Sequence, residues 1–233
     1  MTDTSETTPL TDEELAALAR LTSPTVANAV EVFDIQPRTV GFLDPTVRAV
    51  VTGATPMVGY ACTARMRSAA RPGPEAAGLR RRMWEHILSS PAPRVVVVED
   101  LDDPPVGALW GEVQANIHRA LGCLGVVTNG GVRDLDEVRD LGFNFFAGSV
   151  MVSHAYAHLV EVGAPVTVGG ATIRPGDLLH ADQHGVALIP LQIARDLPHA
   201  AHEVESRERT IINLCRSPDF SIDRLDALFG AYR

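Results

Sequence analysis

The chemistry legible in this chain centres on two adjacent residues, Arg133 and Asp134, which follow a glycine pair, Gly130-Gly131. A guanidinium presents a planar fork of donors that matches a carboxylate. A carboxylate beside it can ligate a hard divalent cation. Upstream, Trp110-Gly111-Glu112 adds a second carboxylate where a helix is expected to begin. The free N–H groups of that first turn, from Glu112 to Gln114, can bind an anion. Oxygen donors of this kind suit Mg2+ or Mn2+, which bind through few carboxylates and keep several waters. Asp100, Asp102 and Asp103 stand nearby in sequence, although such a run is ordinarily a solvated loop. An Arg-Asp pair at a helix start is likewise ordinary, because an acid in the first turn suits the helix dipole. Convergence on one place, rather than any single motif, points to chemistry.

The elements around these residues must bring them together. Residues 94–99 (RVVVVE) form a continuous β-branched run and read as a buried strand. Residues 100–110 read as a loop. Residues 112–121 read as a helix with Val113, Ile117, Ala120 and Leu121 on its apolar face. A second buried strand follows at 125–128, a turn at 129–131, a helix at 134–141 and a third strand at 143–147. This order calls for parallel strands with right-handed crossovers. In open α/β sheets ligands sit beyond the carboxyl ends of such strands. The loops at 100–111 and 129–133 are therefore expected to face each other across one crevice.

The flanks are simpler. Residues 1–10 read as a disordered tail, and 11–233 as a single domain. Thr11 and Glu14 form a capping box that opens a helix to about residue 20. Ser23-Pro24 reads as N-cap and first residue of a helix to about 33. Strands are expected at 46–51 and 58–66, a loop at 68–78 and a helix at 79–89. Strands at 166–168 and 172–174 flank a Gly169-Gly170 turn. Strands at 178–180 and 186–189 flank a turn at 182–185. An amphipathic helix covers 199–215, and a short helix starts at Ser221. The fold class is α/β, one domain with a mixed sheet, a parallel βαβ centre and flanking helices.

Composition removes several classes of function. The net charge of −9 and the lone basic cluster Arg80–Arg82 argue against a nucleic-acid partner. No apolar run approaches the ~20 residues that a membrane span needs. The N-terminus is polar and acidic, unlike a targeting segment, and three widely spaced cysteines suggest a reducing compartment. A cytoplasmic location follows. The chain contains no lysine, so a lysine Schiff base is excluded and carbonyl chemistry would fall to a metal. His154 and His158 are four apart, as are His180 and His184. That spacing could hold zinc on a helix, but on a strand it spans ~13 Å. Both segments read as extended or turn, so no zinc site is expected. A place for one of them in a pocket wall is the alternative. Cys123 reads as a small core residue, and Trp84 and Trp110 as core or pocket wall.

The segment Gly130-Gly131-Val132-Arg133-Asp134, the upstream Trp110-Gly111-Glu112 and the downstream PVTVGGATIRPGDLLHADQHGVALIP resemble the RraA-like family. That family includes 4-hydroxy-4-methyl-2-oxoglutarate aldolases and ribonuclease E activity regulators. The similarity runs from about Ser23 to Arg209. It implies a swivelling β/β/α-type fold and a homotrimer or hexamer. It implies class II aldol cleavage of a small 2-oxo acid substrate that releases pyruvate, with oxaloacetate decarboxylase activity. By position, Arg133 would hold the substrate carboxylate and Asp134 would ligate Mg2+ or Mn2+ directly. Glu112 would reach the ion through water, and Gly111, Val113 and Gln114 would line the substrate. Glu208 of a neighbouring subunit, or failing that Glu205, would complete the metal site through water. The chain departs from the aldolase pattern in carrying Glu112 where Asp is usual, in Asn28 where an Asp-Ala pair is typical, and in residues 152–163. The alternatives are a non-enzymatic regulator that binds a protein partner, and a decarboxylase or hydrolyase acting on another oxo acid in the same pocket. No glycine-rich adenosylmethionine loop supports the methyltransferase label that some relatives carry.

Overall fold

A computed structural model describes residues 8–231. Most of the expected N-terminal tail, residues 1–7, lies outside the described residues. The rest of that expectation is corrected. Leu10 is buried, and its N–H donates to the Tyr60 hydroxyl at 2.7 Å. The capping box forms as expected, and it opens α1 (Asp12–Leu18). In α2 (Ser23–Glu31) the N-cap is Thr22 rather than Ser23, because the Thr22 hydroxyl accepts from the Thr25 N–H.

The sheet grows outward from valine-rich strands. β1 (Arg48–Val51) and β2 (Met57–Arg67) precede α3 (Leu79–Ser89), which leads into β3 (Arg94–Asp100). Next come β4 (Ala108–Trp110), α4 (Glu112–Ala120), β5 (Cys123–Val132), α5 (Leu135–Leu141) and β6 (Asn144–Val150). The strand order is β1-β6-β5-β3-β2, and β2, β3, β5 and β6 pair in parallel. This is the parallel centre expected from the helix–strand alternation. β7 (His158–Val162) pairs antiparallel with one end of β2. β8 (Val166–Val168) and β9 (Ala171–Ile173) form a separate hairpin. Its two-residue turn puts Gly169 and Gly170 at φ 52° and 71°, the left-handed pair that a tight hairpin demands. β10 (Leu178–Asp182) and β11 (Gly185–Ile189) extend the main sheet beside β2. α6 (Leu197–Cys215) packs along α2 and is followed by α7 (Ile222–Ala231).

Alternation along β3 divides the core. Val96 and Val98 face the side covered by α3, α4 and α5, with Met83, Ile87, Trp110 and Phe145. Val95 and Val97 face the hairpin side, with Val127, Phe146, Val168 and Leu179. A third cluster, including Leu18, Val26, Tyr60 and Leu197, seats α1, α2 and α6. Among the described residues, no helix is long and apolar enough to cross a membrane.

Three expectations are corrected near the centre. The turn expected at 129–131 is strand, because β5 continues through Asn129-Gly130-Gly131 to Val132. The loop expected at 100–110 contains β4, which pairs in parallel with that extension, Ala108 opposite Gly131 and Trp110 opposite Val132. The buried face of α4 carries Ala115 and His118, whereas Val113 is 69% exposed.

Candidate functional site

The β4–β5 pairing builds the site. The two loops do not flank an open crevice; they are stitched together, and the Arg133 N–H donates to the Trp110 carbonyl at 2.9 Å. The pairing aligns the end of β4 with the end of β5. The start of α4 thereby meets the start of α5.

Asp134 stands at that junction. Its backbone is left-handed, φ 56° and ψ 49°, a region that few non-glycine residues occupy. Held strain of this sort clusters at functional positions. Its Oδ2 accepts the Glu112 N–H at 2.9 Å and lies 3.8 Å from the Arg133 Nε. Among the described residues, Oδ1 makes no hydrogen bond or ion pair. The side chains of Arg133 and Asp134 are 35% and 37% exposed. The Arg133 Nη1 donates weakly to the Val152 carbonyl, at 3.5 Å. The guanidinium therefore keeps donors for an incoming anion.

Gly111 is what lets these groups meet. A Cβ there would lie 2.3 Å from the Asp134 Oδ2 and 3.1 Å from the Arg133 Cγ. Its φ of −156° is ordinary extended backbone, so the requirement is space rather than conformation. The expected anion cradle at α4 is smaller than anticipated, because Asp134 already takes the Glu112 N–H. The Val113 and Gln114 N–H groups remain without a described acceptor. The Glu112 side chain is exposed and its carboxylate is uncommitted among the described residues.

Other expected participants lie apart. Asp102 accepts from the Ser68 N–H, the Ser68 hydroxyl and the Ala69 N–H, and pairs with Arg67. Burial raises its pKa, but those donors outweigh burial and hold it below the usual range. Asp100 is buried with Oδ2 unpartnered, and burial pushes its pKa up. Within its own chain, Glu208 lies along α2, where it accepts from the Asn28 amide at 3.3 Å. Glu205 faces Thr25 on the same helix. One chain therefore does not bring either glutamate to Arg133.

The histidine pairs sit on strand and turn rather than helix, as expected, and a turn with left-handed Ala155 separates His154 from His158. His180 lies buried in β10 between the Ser23 hydroxyl at 3.0 Å and the Leu21 carbonyl at 3.1 Å. His184 sits in the following turn against Asp182. His154 precedes β7 and His158 begins it. Among the described residues, no group of three or more His, Cys, Asp or Glu side chains could hold a metal ion. A histidine that sequence reading passed over, His118, is buried against Trp110, with ring centroids 4.5 Å apart. Burial lowers its pKa to about 4, so its ring is neutral at neutral pH.

The chain as a whole resembles known proteins. A relative from Halalkalibacterium halodurans, provisionally named a 4-hydroxy-4-methyl-2-oxoglutarate aldolase, is 30% identical over 125 residues, 52% of this chain and 60% of its own. The chain spans only 20% to 60% of the length of the curated relatives it matches. A solved but uncharacterized protein from Pseudomonas syringae superposes over the whole of both chains, with a TM-score of 0.74 and 26% identity. Streptomyces coelicolor RraAS2, described as an unusual member of the RNase ES inhibitor RraA family, shares the fold with a TM-score of 0.68. The identity there is 22%, over 87% of this chain and 98% of that one. A family model described as Aldolase/RraA matches residues 23–188, and the chain belongs to this RraA-like family.

Proposed function

We propose that the chain is a divalent-metal-dependent carbon–carbon lyase for small 2-oxo acids. It would cleave an aldol bond to release pyruvate and would also decarboxylate oxaloacetate. The observation that carries this reading is Asp134: a strained aspartate with one oxygen fixed by the Glu112 N–H, one uncommitted, and Arg133 alongside. The aldolase name of relatives at modest identity supports it.

The donor set fits a hard cation. It offers one carboxylate with an uncommitted oxygen and a second, exposed carboxylate, without the nitrogen or sulfur ligands that zinc favours. Asp134 would hold Mg2+ or Mn2+ directly, and Glu112 and a neighbouring subunit's Glu208 would do so through water. When bound, the ion supplies Lewis-acid stabilisation of the charge left on the 2-oxo group as the carbon–carbon bond breaks. Arg133 binds the substrate carboxylate through its planar fork. The Val113 and Gln114 N–H groups, at the positive end of α4, orient the substrate oxygens. Gly111 keeps the backbone low enough for both side chains to approach one small molecule.

A homotrimer or hexamer is part of this reading, since Glu208 lies along α2 in its own chain and would act on a neighbour's site. Val113 and Val152 are exposed apolar residues beside the site, and a neighbouring subunit would cover them. A cytoplasmic setting with no nucleic-acid partner suits a small-acid enzyme. The test is a panel of 2-oxo and 4-hydroxy-2-oxo acids with Mg2+ or Mn2+, coupled to pyruvate detection. Metal-dependent pyruvate release is expected. No turnover of any member with either ion would move the non-enzymatic, protein-binding reading ahead.

A further inference from the structure

A cavity of about 720 Å3 opens between α3 and α4. That volume is in the range of small-molecule sites, roughly 300–1,000 Å3. Neither Arg133 nor Asp134 lines it, and of the groups assigned to the first site only Gln114 borders it. Its middle is apolar, with Met83, Trp84, Leu109 and Leu159 in the wall. We propose that it is a second binding site, for an organic acid with an aromatic body, a carboxylate at one end and a hydroxyl at the other.

The hydroxyl end rests on Trp110 and His118. Trp110 is 2% exposed and lines the cavity, yet its Nε1–H has no acceptor. A buried donor left unpaired is costly and calls for an explanation. His118 packs on the Trp110 ring, and its Nδ1 lies 2.8 Å from the Gln114 carbonyl. A carbonyl only accepts, so Nδ1 carries the proton. The ring is neutral, because burial lowers its pKa to about 4. Nε2 is then an acceptor. One donor and one acceptor on adjacent rings complement a hydroxyl, which accepts from one and donates to the other.

The carboxylate end rests on α3. Its N-cap is Gly78, left-handed at φ 79° and with no side-chain cap. The first-turn N–H groups, at the positive end of the helix dipole, therefore lack a capping side chain. Gly78, Arg80 and Arg81 all border the cavity. Arg81 is held by Glu85 at 2.7 Å, whereas Arg80 has no ion-pair partner among the described residues. An anion at this end would meet both the helix terminus and Arg80.

The chain contains two tryptophans, Trp84 and Trp110, and both line this cavity. Intrinsic fluorescence therefore reports on it directly. The probe is 4-hydroxyphenylacetate, titrated by fluorescence and by calorimetry. Phenylacetate lacks the hydroxyl, and 4-hydroxyphenylacetamide lacks the charge. Saturable binding is expected, weaker for each analogue by about five- to tenfold. Arg80→Ala, at an exposed position, should weaken the acid to the level of the amide and leave the amide unchanged. Trp110→Phe should erase the preference for the hydroxyl while Trp84 still reports binding. The proposal is overturned by absence of saturable binding, by equal affinities for the three probes, or by Arg80→Ala binding the acid as the parent does. Loss of the probe in Asp134→Ala would also overturn it, by assigning the probe to the other site.

Discussion

Asp102 and Asp134 both follow parallel strands of one sheet, yet they are spent differently. Asp102 follows β3, its side chain is 7% exposed, and both oxygens are engaged by Arg67, Ser68 and Ala69. It ties the segment after β3 to the end of β2. Asp134 follows β5, is 37% exposed, and has one oxygen engaged while its backbone sits in a strained region. A carboxylate whose lone pairs are all satisfied by its own chain stabilises that chain. A carboxylate held in place with capacity left over is positioned for something else.

The comparison breaks most visibly at Gly111. Gly111→Ala would drive a Cβ to 2.3 Å from the Asp134 Oδ2, so the carboxylate must move. A displacement of ~1 Å in a reacting constellation costs about a hundredfold in rate. Turnover should fall by about that factor, while the melting temperature stays within a few degrees because φ at Gly111 is ordinary. Unchanged kcat/KM would show that Asp134 need not be where it stands.

Asp102→Ala should do the reverse. It leaves the Ser68 and Ala69 N–H groups without their acceptor and should cost about 2 kcal/mol of stability. Turnover per folded molecule should be retained, which urea unfolding and an assay of the folded fraction would check.

The smallest effect concerns Asp100. Burial raises its pKa, so the folded state favours the protonated form. Its contribution to stability is full below the ordinary aspartate pKa of 3.8 and is lost as pH rises through the folded value. Asp100→Asn should therefore stabilise the protein at pH 7, and the gain should vanish near pH 4. Unfolding curves at the two pH values decide it, and an equal shift at both would contradict the burial argument.

Much of this was legible before any coordinates. The valine run of β3 needs two apolar faces, and it has them. Leu79–Ser89, the capping box at Thr11 and the Gly169-Gly170 hairpin formed as their local chemistry dictates. The β5 extension and β4 were hidden because Asn129-Gly130-Gly131 and the prolines before Val106 carry turn signals. Parallel pairing there uses backbone groups, and glycine is demanded by close approach: a Cβ on Gly148 would lie 2.2 Å from the Asn129 carbonyl. The buried face of α4 was misread because His118 looks polar in sequence. Its polarity is absorbed by the Gln114 carbonyl and the Trp110 ring. Convergence singles out Arg133 and Asp134 in the sequence and the family resemblance singles out Gly111, but no spacing announces the left-handed backbone at Asp134. The role proposed for Glu208 would need a second copy, which one sequence does not position.

The most direct test separates Arg133 from Asp134. Mn2+ is titrated calorimetrically into the Asp134→Ala and Arg133→Ala variants, alongside an oxaloacetate decarboxylation assay. Asp134→Ala should lose both metal binding and turnover. Arg133→Ala should bind Mn2+ nearly as the parent does while turnover falls about 30- to several-thousand-fold, the cost of a lost charged contact of ~2–5 kcal/mol. An Asp134→Ala protein that still binds Mn2+ and still releases pyruvate would contradict the account and place the chemistry elsewhere.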